Sequence, residues 1–210
     1  QAPGYKGYPA IPDTKQVEAY LDEAYGKDWP VKVHTNGDAA IDQLFEALKP
    51  VVAKHGVKPA QVTLIHGQFI RTDQVQALKS LGIFPSMFPM HTFYWGDWYK
   101  QIVGPEQAAR ISPMRSILNT GLHATSHTDA PVALPNLMQV VWATVNRTSR
   151  SGTVIGPDER VTPYEAMKMI TLWGAEQFGE QATKGSIEVG KMADLVVLSD
   201  NPVTMDSTRI

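Results

Sequence analysis

Three segments decide the fold of this chain: residues 31–38 (VKVHTNGD), 62–67 (VTLIHG) and 122–131 (LHATSHTDAP). In each segment a β-prone, mostly apolar run ends at a histidine or an aspartate, and the start of a helix follows. The carboxyl ends of the parallel strands in a β/α barrel lie on one face, where residues distant in sequence meet. Two imidazoles and a carboxylate on such a face suit a catalytic divalent metal.

The rest of the sequence continues this alternation of strand and helix. We predict strands at 31–34, 62–66, 83–87 and 122–126. Predicted helices cover 13–25 and 135–148, and others begin near Asp38, Thr72, Ser112-Pro113 and Thr162-Pro163. Asp38 is interpreted as a helix N-cap rather than a catalyst, and Ser112 as the N-cap of a helix that runs to Gly121. The order indicates an α/β fold with a parallel sheet.

The last part of the chain has a different pattern. Residues 185–198 (GSIEVGKMADLVVL) predict two short strands around a Gly-Lys turn. We expect these strands to form a satellite sheet beside the main domain.

Composition excludes several classes of function. The chain has 19 basic and 21 acidic residues and a formal charge of −2, which disfavours a nucleic-acid partner. No apolar run approaches the roughly 18 to 20 residues that span a bilayer, and the first residues do not resemble a signal peptide. We therefore expect a soluble protein without a membrane partner, cytoplasmic rather than secreted. Because the chain has no cysteine, any metal must be held by His, Asp or Glu.

Five motifs together resemble the metal-dependent amidohydrolase superfamily, in the amidohydrolase-family-3 branch that contains the N-substituted formamide deformylases. They are HTNGD at 34–38, IHGQ at 65–68, LGI at 81–83 leading to PMH at 89–91, DAPV at 129–132 and GSIEVGKMADL at 185–195. The resemblance implies that the four strands are the fifth to eighth of a (β/α)8 TIM-like barrel. Residues 1–180 would form this partial barrel domain, and residues 181–210 part of a small flanking β-sandwich.

The family's His-x-His motif and its bridging lysine or acidic ligand have no counterpart in this sequence. A complete barrel typically needs about 250 residues. We therefore expect the chain to be a C-terminal fragment whose partner is the N-terminal half of the same protein, and to be inactive alone. Association between copies of the complete protein stays open.

The resemblance also implies a metal site and a reaction. His34, His66 and Asp129 would bind a divalent ion, most simply zinc, with one or two ions in the complete protein. Asp129 would also be catalytic, taking a proton from the attacking water and passing it to the leaving amine. His127, two residues before Asp129, is the rival ligand because alternate residues of a strand share a face.

A dense aromatic segment follows the third predicted strand. We expect His91 and Trp95 to contact a small amide-like substrate, with core packing as the alternative for the aromatic residues. His55 and His123 are interpreted as structural. The sequence thus predicts a metal-dependent hydrolase of an amide or N-acyl C–N bond; the alternative is a non-catalytic or regulatory homologue without a complete metal centre.

Overall fold

A computed structural model describes residues 10–210. Its sheet contains strands β1 (Val31–Thr35), β2 (Val62–His66), β3 (Ile83–Met87) and β4 (Thr125–Ser126), in the order β1-β2-β3-β4. All three pairings are parallel, and helices connect the strands. The predicted α/β class with a parallel sheet is confirmed.

The register of the sheet separates its two faces. His34 is level with Ile65, Ile65 with Ser86, and Ser86 with Thr125, so these side chains belong to one face. Leu64 belongs to the opposite face and is fully buried in the main hydrophobic core. The polar residues predicted for the site therefore lie away from the helix-covered side, or at the strand ends.

Three helices supply much of the hydrophobic core beside the sheet, and the first of them packs on the second. They are α1 (Thr14–Gly26), α2 (Asp38–His55) and α3 (Thr72–Ser80). Asp13 caps α1 by accepting a hydrogen bond from the Lys15 amide at 2.9 Å.

Six further α-helices follow the third strand. They are α4 (Met90–Ile102), α5 (Pro105–Ala109), α6 (Met114–Leu118), α7 (Leu137–Asn146), α8 (Pro163–Met169) and α9 (Leu172–Gln177). Thr162 and Glu165 form a capping box at the start of α8, as the Thr-Pro signal predicted. No helix within residues 10–210 is long and apolar enough to cross a membrane.

Two predicted helix starts are wrong by one residue. Gly37 is the N-cap of α2, whereas Asp38 is its first residue and accepts a hydrogen bond from the Ala39 amide at 2.9 Å. Pro113 rather than Ser112 caps α6, because Ser112 adopts φ 47° and turns its hydroxyl toward other partners. Helix α6 also ends at Leu118, before Gly121.

The aromatic segment and the last strand differ from the predictions as well. The segment from Met90 to Ile102, for which no helix was predicted, forms α4 and carries the aromatic side chains. Strand β4 is limited to Thr125 and Ser126, because ladder pairing with β3 extends only over these two residues.

Residues 185–198 were predicted to form two short strands, and within the described chain this prediction is wrong. The segment contains turns, including one closed by a hydrogen bond from the Lys191 amide to the Glu188 carbonyl at 3.2 Å. A strand needs a partner for its backbone groups, and no described segment pairs with this one. Its apolar residues are correspondingly exposed, with Val189 and Val197 almost fully so.

Candidate metal centre

Two of the predicted site residues meet at the carboxyl end of the sheet. His66 is the last residue of β2 and is 5% exposed, while Asp129 lies in the turn after β4. His66 Nε2 is 3.9 Å from Asp129 Oδ2. Both residues have positive φ angles, 79° for His66 and 53° for Asp129. Such conformations are uncommon outside glycine and concentrate at functional sites.

His127 completes a group of three potential metal ligands with this pair. One ligand atom from each of His66, His127 and Asp129 lies within 4.8 Å of the others. The backbone of His127 is fixed by a hydrogen bond from its amide to the Met87 carbonyl at 3.0 Å. Its ring stacks on Phe88, with centroids 5.4 Å apart and planes at 19°. The two-residue spacing from Asp129 had marked His127 only as the rival ligand.

His34 lies beside this group rather than within it. It is exposed near the end of β1, and its ring centroid is 4.6 Å from that of His66 in an edge-to-face arrangement. The structure therefore brings His34 close to His66, whereas the group that includes Asp129 contains His127.

Burial favours the neutral form of three histidines in this region, namely His66, His91 and His127. It lowers the pKa of His66, an effect that the nearby Asp129 carboxylate partly offsets and His34 reinforces. Burial likewise lowers the pKa of His127 to about 4 and that of His91 to about 3. A neutral imidazole retains the nitrogen lone pair that a metal ligand requires.

The predicted substrate contacts lie in the same region. His91 is in the first turn of α4, and its ring centroid is 6.0 Å from His66 and 6.1 Å from Trp95. Trp95 is partly exposed and also approaches Phe88, at 6.2 Å. These side chains form an aromatic wall, made of Phe88, His91 and Trp95, beside the candidate metal ligands.

Sequence reasoning missed two residues that support this wall. Ser112 had been assigned to helix capping, yet its hydroxyl lies 3.1 Å from His91 Nδ1. Arg147 had not been singled out, although its guanidinium is 1% exposed and donates a hydrogen bond to the Ser112 carbonyl at 2.9 Å. The sequence gives no periodic or motif signal for either contact, because 35 residues separate Arg147 from Ser112.

The donors in this group fit a divalent metal. Imidazole nitrogens and a carboxylate oxygen are typical zinc ligands. His66 Nδ1 and His127 Nε2 are buried without a hydrogen-bond partner among the described residues. Buried polar atoms normally have a partner, so these two are suited to a ligand that supplies one. His55 and His123 instead pair with carboxylates, at 2.7 Å to Asp22 and 2.6 Å to Glu176.

The family assignment rests on the whole chain. The sequence profile described as "Amidohydrolase family" matches residues 1–210. The chain belongs to the amidohydrolase family. The predicted resemblance to the amidohydrolases is thereby confirmed, and two of the motifs that carried it, at 34–38 and 65–68, lie at the ends of β1 and β2.

Named relatives of this amidohydrolase chain include an enzyme that acts on a C–N bond. N-substituted formamide deformylase from Arthrobacter pascens is 32% identical over 172 residues, covering 81% of this chain and 32% of the deformylase. The chain thus spans about a third of that relative's length.

Solved structures share the fold. A metal-dependent hydrolase from Pyrococcus furiosus superposes with a TM-score of 0.77 at 24% identity, covering 96% of this chain and 40% of its own. A zinc-bound adenosine deaminase from Xanthomonas campestris superposes with a TM-score of 0.61 at 17% identity, covering 87% of this chain and 40% of its own.

Proposed function

We propose that this chain carries part of the catalytic centre of a metal-dependent hydrolase that cleaves the C–N bond of an amide or N-acyl compound. The observation that carries the proposal is the grouping of His66, His127 and Asp129 within 4.8 Å at the carboxyl end of a parallel sheet. Strand ends are where enzymes with this layout place catalytic residues.

The proposed ligands are His34, His66 and Asp129. His34 and His66 lie on neighbouring strands with rings 4.6 Å apart, and Asp129 approaches His66 from the turn after β4. His127 is the competing imidazole, because its Nε2 is buried without a partner in the same group. A bound divalent ion, zinc in the simplest case, would make water a nucleophile near neutral pH and polarise the substrate carbonyl.

Asp129 is the proposed proton carrier. Its side chain is 38% exposed, so solvent and substrate both have access to the carboxylate. A carboxylate in this position can accept the proton of the attacking water and deliver it to the departing nitrogen. Amines are poor leaving groups when unprotonated, so this transfer would assist C–N cleavage directly.

The proposed substrate has a flat apolar part. The aromatic wall beside the ligands offers ring faces and edges within about 6 Å of one another, a geometry suited to aromatic contacts. The A. pascens relative, named as acting on N-substituted formamides, supports a formamide that carries a substituent on its nitrogen. Formanilide is a suitable test compound because it joins an aromatic ring to a formamide group.

The sheet is proposed as strands five to eight of a (β/α)8 barrel. This is supported by the four parallel strands in sequential order and by the coverage of about 40% of the fold-related hydrolase. The N-terminal half of the barrel and the remaining ligands would come from the same protein. Residues 181–210 are proposed as part of a flanking β-sandwich whose strands would form only against partner strands from the rest of the protein.

Formanilide hydrolysis by the full-length protein tests this function. Aniline release should require metal, stop after treatment with a chelator and return on addition of zinc. Full-length protein that binds zinc stoichiometrically but hydrolyses neither formanilide nor aliphatic N-substituted formamides would reject the substrate class. Full-length protein that binds no zinc would instead favour a non-catalytic homologue.

A further inference from the structure

The hydrogen bonds around His91 favour one position for the proton of its ring. His91 Nδ1 lies 3.1 Å from Ser112 Oγ, and the same hydroxyl donates a hydrogen bond to the Phe88 carbonyl at 3.1 Å. A hydroxyl has one hydrogen, and a carbonyl oxygen only accepts. When that hydrogen is directed to Phe88, Ser112 Oγ must accept from His91, so His91 Nδ1 carries the proton.

The charge state of His91 makes this deduction useful. His91 is 5% exposed, and the partner of its Nδ1 is a hydroxyl rather than a carboxylate, so its surroundings favour the neutral ring. In a neutral imidazole only one nitrogen is protonated. With the proton on Nδ1, Nε2 keeps its lone pair and acts only as a hydrogen-bond acceptor.

Ser112 is itself held in place from several directions. It is fully buried and has φ 47°, a conformation that an unsupported serine rarely adopts. Its amide donates to the Gln68 carbonyl at 2.9 Å, and its carbonyl accepts from Arg147 Nη1 at 2.9 Å. These bonds fix the backbone from which the hydroxyl reaches His91.

Arg147 holds the backbone around Ser112 through several hydrogen bonds. Its guanidinium also donates to the Ile111 carbonyl at 2.7 Å and to the Ile155 carbonyl at 2.7 Å. One buried cation therefore ties the segment before α6 to the loop after α7. Because the Ile111 and Ser112 carbonyls both accept hydrogen bonds from Arg147, the backbone of Ser112 has little freedom to turn away from His91.

We propose that Ser112 is a positioning residue that holds His91 as the Nδ1-protonated tautomer, so that His91 Nε2 accepts a hydrogen bond from an N–H group of the substrate. This proposal deepens the proposed amide hydrolysis and rests on it for the identity of the substrate. It specifies the substrate class as secondary amides, because a tertiary amide has no N–H to donate. His91 lies in the wall beside the candidate ligands, where the substituted nitrogen of an amide would be placed.

The tautomer is measurable without any assay of activity. The full-length zinc-loaded protein would be labelled with ¹⁵N-histidine, and the His91 ring nitrogens assigned by their loss in His91→Gln. In the wild-type protein Nε2 should resonate in the range of an unprotonated nitrogen and Nδ1 in the range of a protonated one. In Ser112→Ala and Ser112→Gly, Nε2 should shift toward the protonated range.

Two variants distinguish a role of Ser112 in positioning His91 from a general disturbance of the local structure. Ser112→Gly removes the hydroxyl at a residue whose positive φ glycine adopts readily, so its backbone should be retained. Thr92→Val removes a buried hydroxyl next to His91 that donates to the Pro89 carbonyl rather than to the His91 ring, and it should leave the tautomer unchanged.

Substrate preference provides the second arm of the test. Wild-type protein should hydrolyse formanilide with a much higher kcat/KM than N-methylformanilide, and Ser112→Gly should lose most of that preference. A wild-type His91 protonated on Nε2, or an unchanged tautomer in both Ser112 variants, would overturn the positioning role. Failure to hydrolyse formanilide with the expected tautomer intact would count against the substrate class instead.

Discussion

Asp129 Oδ2 lies 3.9 Å from His66 Nε2, across the gap between the turn after β4 and the end of β2. This separation exceeds that of a direct hydrogen bond, so the two groups are not simply an ion pair that satisfies itself. A shared ligand bound by His66 Nε2 and Asp129 Oδ2 would account for this spacing. The first prediction follows from this relationship.

Asp129→Asn should reduce turnover by roughly 10²-fold or more, because the amide keeps the size of the carboxylate but cannot carry the proton. Bound zinc should fall much less, since the imidazole ligands remain. Single-turnover kinetics and metal analysis of the full-length variant measure both quantities. The exposed Asp158→Asn serves as the matched control and should match the wild type in both. Turnover near the wild-type rate in Asp129→Asn would make this aspartate a turn residue only.

Trp95→Ala should raise KM for formanilide by about tenfold, equivalent to about 1.4 kcal/mol of lost ring contact. The kcat value should change less, because Trp95 contacts His91 and Phe88 rather than a reacting group. Trp98 is on the same helix but is exposed, and its ring approaches Tyr99 at a tilt of 59°, so Trp98→Ala is the control. Equal changes of KM in the two variants would show that Trp95 does not contact the substrate.

Arg147→Met should lower the free energy of unfolding by about 3 kcal/mol, because it leaves several buried carbonyls without their charged donor. Burial lowers the pKa of Arg147 to about 10, so the guanidinium remains charged at neutral pH. Urea unfolding followed by fluorescence measures the change. Arg150→Met, on the exposed part of the neighbouring loop, should alter stability by less than about 0.5 kcal/mol. An Arg147→Met protein as stable as the wild type would show that the hydrogen bonds from Arg147 to these carbonyls are not needed for stability.

The ion pair between Glu165 and Arg115 predicts a pH dependence of stability. Hydrogen bonds from Arg115 lower the pKa of Glu165 from 4.5 to about 2. A carboxyl whose folded pKa is lowered stabilises the protein fully above its unfolded pKa, and this contribution is lost as pH falls toward 2. Because the pair is partly solvent-accessible, we expect it to contribute about 1 to 2 kcal/mol to the free energy of unfolding at neutral pH.

Glu165→Gln should therefore reduce stability at pH 7 and flatten its dependence between about pH 4.5 and 2. Thermal unfolding at a series of pH values compares the variant with the wild type. An unchanged slope in that acid range would show that other carboxyl groups account for the dependence.

Much of the sheet was predictable because local sequence and tertiary structure agree there. Val62 to His66 is β-prone, ends at a polar residue and is followed by a turn, and β2 has these same bounds. The prediction of strands near 185–198 was wrong because local sequence and tertiary structure disagree there. Strand propensity alone cannot supply a pairing partner. The length of β4 was likewise set by pairing with β3 rather than by its own residues.

The candidate site was predictable where a residue ends a strand, as His66 does. The nearness of His127 and the support from Ser112 and Arg147 depend on contacts between distant segments. Such contacts leave no periodic mark in one sequence. Ser112 was misinterpreted because serine before proline usually caps a helix, whereas its positive φ turns the hydroxyl toward His91.

The zinc content of His66→Ala in the full-length protein tests the proposed metal centre most directly. Inductively coupled plasma mass spectrometry should find a clear loss of zinc together with a loss of formanilide turnover, because a ligand has been removed. The exposed His123→Ala should retain both. Comparison of His34→Ala with His127→Ala identifies the second imidazole ligand of the zinc ion. We expect His34→Ala to lose zinc and His127→Ala to retain it. Stoichiometric zinc with unchanged turnover in His66→Ala would contradict the metal centre proposed for this chain.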